Sequence, residues 1–415
     1  ESEQDAERER LFEIVRNLMA KKLHERPDVY AEARAEMLRH CNGKLPPVLD
    51  PFAGGGSIPL EAARLGFEAH ATDLNPIAVL LNKCNLELAP RWIDRPPVNR
   101  EDRRRIGGAE SWPGMLGLAA DLRYYGRLLR TRAQEKIGHL YPRVRLSKEQ
   151  GGSEAPVIAW LWTRTVASPN PAARGKHVPL VSSFMLASAK GKHTWVELVR
   201  DDNAPHGWRF DLRTGSLDKD QLAKAKLGTR AGKAQDFLCF LTDTPIPRAY
   251  IQAEGKARRL GQALMAVVAG GPTGRVYVVP DAKQEDVALN GPDSVLVADA
   301  RSTFLAGQLP NRAGITGGVC SAYGLDTWGE LFSARQIAAL VMMSDLLKAL
   351  PDEVAGIAAE AGMSSEDATA YATTVATFLA LNLDRCADLN NTLCTWNSSD
   401  EVLRNLFKRQ ALPMV

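Results

Sequence analysis

Residues 47–57 read Pro47-Val48-Leu49-Asp50-Pro51-Phe52-Ala53-Gly54-Gly55-Gly56-Ser57, followed by Ile58-Pro59-Leu60-Glu61-Ala62-Ala63-Arg64-Leu65-Gly66. A short apolar strand runs into a glycine-rich turn, and the turn into a helix that stops at a glycine. Glu68-Ala69-His70-Ala71-Thr72-Asp73 reads as a second strand ending in a carboxylate, and Asn75-Pro76 opens a helix over Ile77 to Leu88. This order predicts a β-α-β-α unit of the doubly wound α/β kind.

Glycines at the carboxyl end of a strand let a ligand approach the backbone where a Cβ would block it. The turn is not a phosphate cradle. Pro59 and Leu60 stand where G-x-G-x-x-G needs its last glycine, and no Gly-Lys-Ser/Thr follows. Asp73, 23 residues after Asp50, is spaced to accept hydrogen bonds from two ribose hydroxyls, and Asp50 to meet a cationic or amine-bearing group. Ribose hydroxyls, a cationic amino-acid arm and no phosphate describe S-adenosylmethionine. The expected cofactor-binding residues are Asp50, Pro51, Phe52, Ala53, Gly54, Gly55, Gly56, Asp73, Leu74 and Asn75.

Working outward, Asp5 to Leu23 has the spacing of an amphipathic helix, and Val29 to His40 of a second. Arg91 to Pro113 reads as an arginine-rich loop with a Gly107-Gly108 break, and Leu116 to Ile137 as a helix. From Arg145 to Lys256 short β-rich runs such as Val157–Trp162 and Thr194–Val199 alternate with Gly, Pro, Asn and Lys clusters. After Gly270-Gly271, Arg275–Val279 reads as another strand, and Asp281 to Gly318 as mixed and loop-rich. Ser333 caps a helix that Pro351 stops, and Ser364 or Ser365 caps the next, which carries the apolar Ala368–Leu383 stretch as a buried helix.

The 415 residues are 45% hydrophobic and 24% charged, ordinary for a protein that buries sizeable cores, and the net charge is only +3. That balance conceals an asymmetry. Residues 145–260 hold 19 Lys and Arg against 11 Asp and Glu, about +8, which leaves about −5 for the remainder. A basic, β-rich insert fits phosphate contacts, although a solvated lysine-rich surface has the same composition. Six scattered cysteines without a CxxC pair favour a reducing, cytoplasmic setting, and neither a signal peptide nor a membrane span is visible.

Asp50-Pro51-Phe52-Ala53-Gly54-Gly55-Gly56 resembles the D-P-F-x-G-x-G cofactor motif of amino-group nucleic-acid methyltransferases, and Thr72-Asp73-Leu74-Asn75-Pro76 the motif after it. The wider context is similar to one subgroup, the adenine-specific DNA methylases with a zinc-ribbon-like insert that are often encoded with phage-defence genes. Its further matching pieces are Gly54–Ala62, Arg95–Asn99, Leu118–Gly126, Ile137–Pro142, Thr392–Trp396 and Arg409–Val415. The resemblance implies a partial Rossmann-like S-adenosylmethionine-dependent methyltransferase core with a β-rich insert and a C-terminal helical segment. The implied domains are 1–144 (cofactor half), 145–275 (target-reading insert) and 276–415 (linker and helices leading toward a catalytic half). The implied activity is methylation of adenine's exocyclic amine in double-stranded DNA, with the target base flipped, in restriction-modification or phage defence.

Two departures qualify this. The family's Asp/Asn/Ser-Pro-Pro-Tyr/Phe catalytic motif is absent: Pro46-Pro47 and Pro96-Pro97 are flanked by Leu45 and Val48, and by Arg95 and Val98. The catalytic residues are therefore unknown, and the expectation is a chain that binds cofactor but methylates only with a complementary methyltransferase half or defence-system subunit. The apolar run at Val415 suggests a continuation. At the four cysteine positions of the zinc ribbon stand Ser168, Ala173, Cys239 and Thr242, so no metal is expected. His177, His193 and His206 read as exposed loop residues. Two other readings remain: an RNA guanine-amino methyltransferase, which shares a similar turn, and a non-catalytic DNA-binding subunit of a split methyltransferase.

Overall fold

A computed structural model describes residues 2–20, 26–105, 112–189, 192–231, 236–272, 274–292, 294–309 and 319–404. Leu23, the Gly107-Gly108 break, the end of the Asp281–Gly318 stretch and the Arg409–Val415 segment lie outside the described residues. The chain is mixed α and β, 50% helical and 20% strand. It divides into a unit made of 1–127 with 348–379 and a second made of 128–347 with 380–415. The 145–275 segment falls within the second unit, and the 276–415 segment contributes to both.

In the first unit the helices α1 (Ser2–Ala20) and α2 (Pro27–His40) precede β1 (Val48–Asp50), α3 (Ser57–Arg64), β2 (Ala69–Ala71) and α4 (Pro76–Lys83). β1 and β2 are parallel, with Val48 opposite Ala69 and Asp50 opposite Ala71. Asn75 caps α4 by accepting from Ile77 N at 3.0 Å, and Pro76 supplies the preset first residue. A π turn over Cys84–Leu88 continues α4. The arginine-rich stretch expected as loop contains a helix, α5 (Arg100–Arg105), because Asn99 Oδ1 accepts from Asp102 N at its start. The next helix, α6, spans Leu116–Ile137.

A buried carboxylate organises this unit. Asp121 on α6 has no exposed surface and accepts from Val98 N (2.7 Å), Asn99 N (2.9 Å), Asn99 Nδ2 (2.9 Å) and the Tyr371 hydroxyl (2.5 Å). Burial pushes its carboxyl up, against the four donors that pull it down. Beside it, Trp92 meets Tyr371 edge-on at 5.0 Å and donates from Nε1 to Thr374 Oγ1 at 3.0 Å.

The second unit is built on antiparallel strands: β3 (Val144–Arg145), β4 (Glu154–Ala155), β5 (Val157–Ala167), β6 (His177–Pro179), β7 (Met185–Ala189), β8 (Lys192–Arg200) and β9 (Trp208–Gly215). After α7 (Lys219–Leu227) come β10 (Phe237–Leu238), β11 (Pro245–Ile246), α8 (Arg248–Lys256), β12 (Gly261–Gly271) and β13 (Gly274–Val278). One sheet has the order β13-β12-β5-β6 and another β7-β8-β9. Leu161, Leu186, Trp208, Phe210, Met265 and Val268 share one core, against which Phe184 packs.

Two helices, α9 (Ala282–Leu289) and α10 (Val295–Ser302), occupy the region read as loop, capped by Asp281 and Ser294. A short α11 (Val319–Ala322) follows. The chain then forms α12 (Ala334–Glu360), α13 (Ser365–Leu389) and a β14 (Thr395–Asn397) and β15 (Val402–Arg404) hairpin. Pro351 does not stop α12. It lies inside the helix, because burial of Leu350, Val354 and Ala358 on one stripe outweighs the lost hydrogen bond. Ser364 caps α13 through Asp367 N at 3.1 Å.

Candidate functional site

All ten expected cofactor residues lie in two adjacent turns at the carboxyl ends of β1 and β2. That is where open α/β sheets bind ligands. The first turn is tied to the second. Ala53 N donates to Thr72 O at 3.0 Å, Thr72 N to Asp50 O at 2.9 Å, and Gly54 N to Asp73 Oδ2 at 2.8 Å. Asp73 Oδ1 also accepts from Asn75 N at 2.8 Å. These backbone donors, Asn75 first and Gly54 second, hold the Asp73 carboxyl below the ordinary range, so it is an ionised acceptor with a lone pair left on each oxygen. Asp50 Oδ1 accepts from Phe52 N at 3.2 Å, which folds the start of the turn.

The three glycines differ in what they require. Gly54 and Gly56 have φ of +50° and +84°, in the left-handed region. A Cβ on Gly56 would sit 2.6 Å from Asn82 Oδ1. At Gly55 the φ is not left-handed and a Cβ would meet nothing within 4 Å. Neither backbone strain nor packing inside this chain calls for glycine there. Phe52 and Leu74 are 79% and 94% exposed, so the turns form an open surface rather than a cavity.

Two residues that hold the turns were missed in the sequence. Thr72 donates from Oγ1 to Pro51 O at 3.1 Å, and Asn82, buried on α4, donates from Nδ2 to Gly54 O at 3.1 Å and to Ala78 O at 2.8 Å. The available signal for Asn82 was an amide directly after the apolar Ile77–Leu81 run.

Of the positions compared with a zinc ribbon, Ser168, Cys239 and Thr242 are joined by hydrogen bonds in the second unit, and Ala173 lies in a neighbouring stretch of chain after Ser168. Ser168 Oγ donates to Cys239 Sγ at 3.2 Å; Asn170 caps the turn ending at Ala173; Thr242 N donates to Cys239 O. Burial pushes the Cys239 thiol up, but hydrogen bonds from Ser168 and Thr242 bring it below its usual value. One thiol, two hydroxyls and a methyl do not make a tetrahedral zinc site. The histidines are not all loop residues: His177 starts β6 and bonds Thr165 Oγ1 through Nδ1 at 3.0 Å, and His193 is in β8. They sit there because β5–β6 and β7–β8 pairing extends over residues whose composition alone suggested a loop.

The basic segment carries exposed Lys219, Lys224 and Lys226 on α7. Arg213 instead pairs with Glu197 across β8 and β9 at 2.6 Å, and Arg209 with Asp211 and Asp201. Among the described residues no helix is long and apolar enough to cross a membrane, and all six cysteines are unpaired. Comparison with family models, with curated proteins and with solved structures finds no match.

Proposed function

We propose that the first unit is the cofactor-binding half of an S-adenosylmethionine-dependent, adenine-specific DNA methyltransferase of the restriction-modification or phage-defence type, working in the cytoplasm. The observation that carries the reading is Gly55: a residue without a side chain, in ordinary backbone geometry, facing open space. Close approach of a ligand is the demand that remains. Asp73 supports the ribose end, being ionised, positioned by two backbone donors and acceptor-only. The bound cofactor supplies an activated methyl group. The chain's part is to hold the ligand against the Gly54–Gly56 backbone and to fix its ribose through Asp73.

Adenine chemistry needs an acceptor for the amine protons and an aromatic surface for the flipped base. The absence of a Pro-Pro-Tyr/Phe motif assigns those to a complementary methyltransferase half. Among the described residues β1 pairs only with β2, so an edge remains on which such a half can extend the parallel sheet. The 145–275 segment is assigned to duplex DNA through exposed lysines such as those of α7.

Calorimetric titration with S-adenosylmethionine tests the cofactor reading. Asp73→Ala should abolish binding, and Gly55→Val should weaken it at least tenfold while leaving the melting temperature unchanged. Undiminished affinity in both variants refutes the assignment. For DNA, affinity should fall with rising salt and be lost on removing the α7 lysine charges.

A further inference from the structure

The second unit holds a buried cation without a counter-ion. Arg335, the second residue of α12, is 5% exposed, and its Cζ lies 4.1 Å from the Trp160 ring centroid and 5.1 Å from that of Tyr141. Its Nε has no hydrogen-bond partner, and among the described residues no carboxylate pairs with it. The contrast is with Arg10, Arg258 and Arg259, each bound to glutamate. Two aromatic rings, with a hydrogen bond to the Tyr141 side chain, offset part of the desolvation of a guanidinium but leave its Nε donor unused.

Arg335 lines a cavity of about 140 Å³, whose wall also includes Trp160, Trp162, Trp396, Gln336 and Asn391 and contains neither Asp, Glu nor Lys. Gln336 uses its Oε1 to accept from Ser333 N, which leaves its Nε2 as a donor. The cavity also adjoins the amino end of α12, whose backbone favours negative charge. A single cation calls for a single negative charge; tryptophan walls call for a flat apolar body; the volume matches a cavity that takes up one benzene ring.

We infer that this cavity binds a small aromatic monocarboxylate, its carboxylate accepting from Arg335 and Gln336 and its ring lying against Trp162 and Trp396. None of its lining residues belongs to the glycine turns, and the inference does not depend on the function proposed above.

Benzoate is the probe, titrated into the full chain with tryptophan fluorescence and thermal melting as readouts. Saturable quenching with a rise in melting temperature is expected. Benzamide, the neutral isostere, should bind at least tenfold more weakly, and inorganic phosphate should produce no response. Arg335→Met should remove the benzoate response without lowering the melting temperature, since an apolar chain replaces an uncompensated charge. Arg335→Lys, which keeps the charge but loses the planar fork, should weaken benzoate at least tenfold and guards against a misfolded methionine variant. The inference is overturned by the lack of saturable quenching, by equal binding of benzamide, by tighter binding of phosphate, or by an undiminished response in both variants.

Discussion

β1 and β2 leave Leu49, Phe52, Ile58, Leu74 and Ile77 more than half exposed, whereas β12 has no accessible surface from Ala266 to Ala269. The difference follows from how each sheet is made. An antiparallel sheet can close through hairpins, as β12 and β13 do, and β12 is also flanked on its other side by β5, which is distant in the chain. A parallel sheet needs long crossovers and is normally covered on both faces, and two strands alone are marginal. We therefore expect the glycine-turn region to depend on buried groups elsewhere in its unit, such as the Asp121 cluster, and the β-rich region to depend on its own core.

The sharpest way to break this comparison is Asp121→Ala. It would leave Val98 N, Asn99 N and the Tyr371 hydroxyl buried without an acceptor, and should cost about 3–5 kcal/mol in urea unfolding. A loss below about 1 kcal/mol would show that the first unit does not depend on that cluster. Next comes Met265→Ala in the β12 core, 1% exposed, for which about 2–5 kcal/mol is expected from lost packing and the cavity left behind. Near the glycine turns, by contrast, Phe52→Ser and Leu74→Ser should change stability by no more than about 0.5 kcal/mol, because both side chains already face water. Destabilisation like that of Met265→Ala would mean that these side chains are covered, and the contrast between the sheets would fail.

Much of the β1–α4 unit was legible because its signals are local: glycine turn, terminal carboxylate, Asn-Pro cap. The Asp121 cluster was not. Its hydroxyl donor, Tyr371, lies 250 residues away, and an aspartate inside the Leu116–Ile137 pattern looks like a solvent-facing residue. Pro351 misled for a related reason, since the local helix-stop rule lost to burial contributed by residues on both sides of it. Trp160 and Trp162 fall in the Val157–Trp162 run read as β-rich, but nothing in their neighbourhood announces Arg335, about 175 residues on, as the cation against Trp160. Ser168 and Cys239 are 71 residues apart, and no local signal around either announces their contact.

The smallest expected effect concerns the α1–α2 pair, which precedes β1 and is held by surface charge. Glu36 accepts from Arg10 at 2.6 Å, from Arg39 at 2.5 Å, and meets His40 Nε2 at 2.9 Å, and these partners lower its pKa to about 2, Arg10 contributing most. Because the folded value lies below the unfolded one, the unfolded state takes up protons first as pH falls. The contribution of Glu36 is therefore fully present above pH 4.5 and is lost between there and about pH 2. Amide hydrogen exchange of α1 and α2 should accelerate across that window, relative to exchange in the β12 core, and less so at high salt, which screens exposed pairs and so weakens the contribution that protonation removes. Glu36→Gln should flatten the pH dependence. If α1 and α2 keep the same protection at pH 2.5 as at pH 6, the pair is held by Ile14, Val29 and Ala33 alone, and the first unit is less dependent on charge than its open sheet implies.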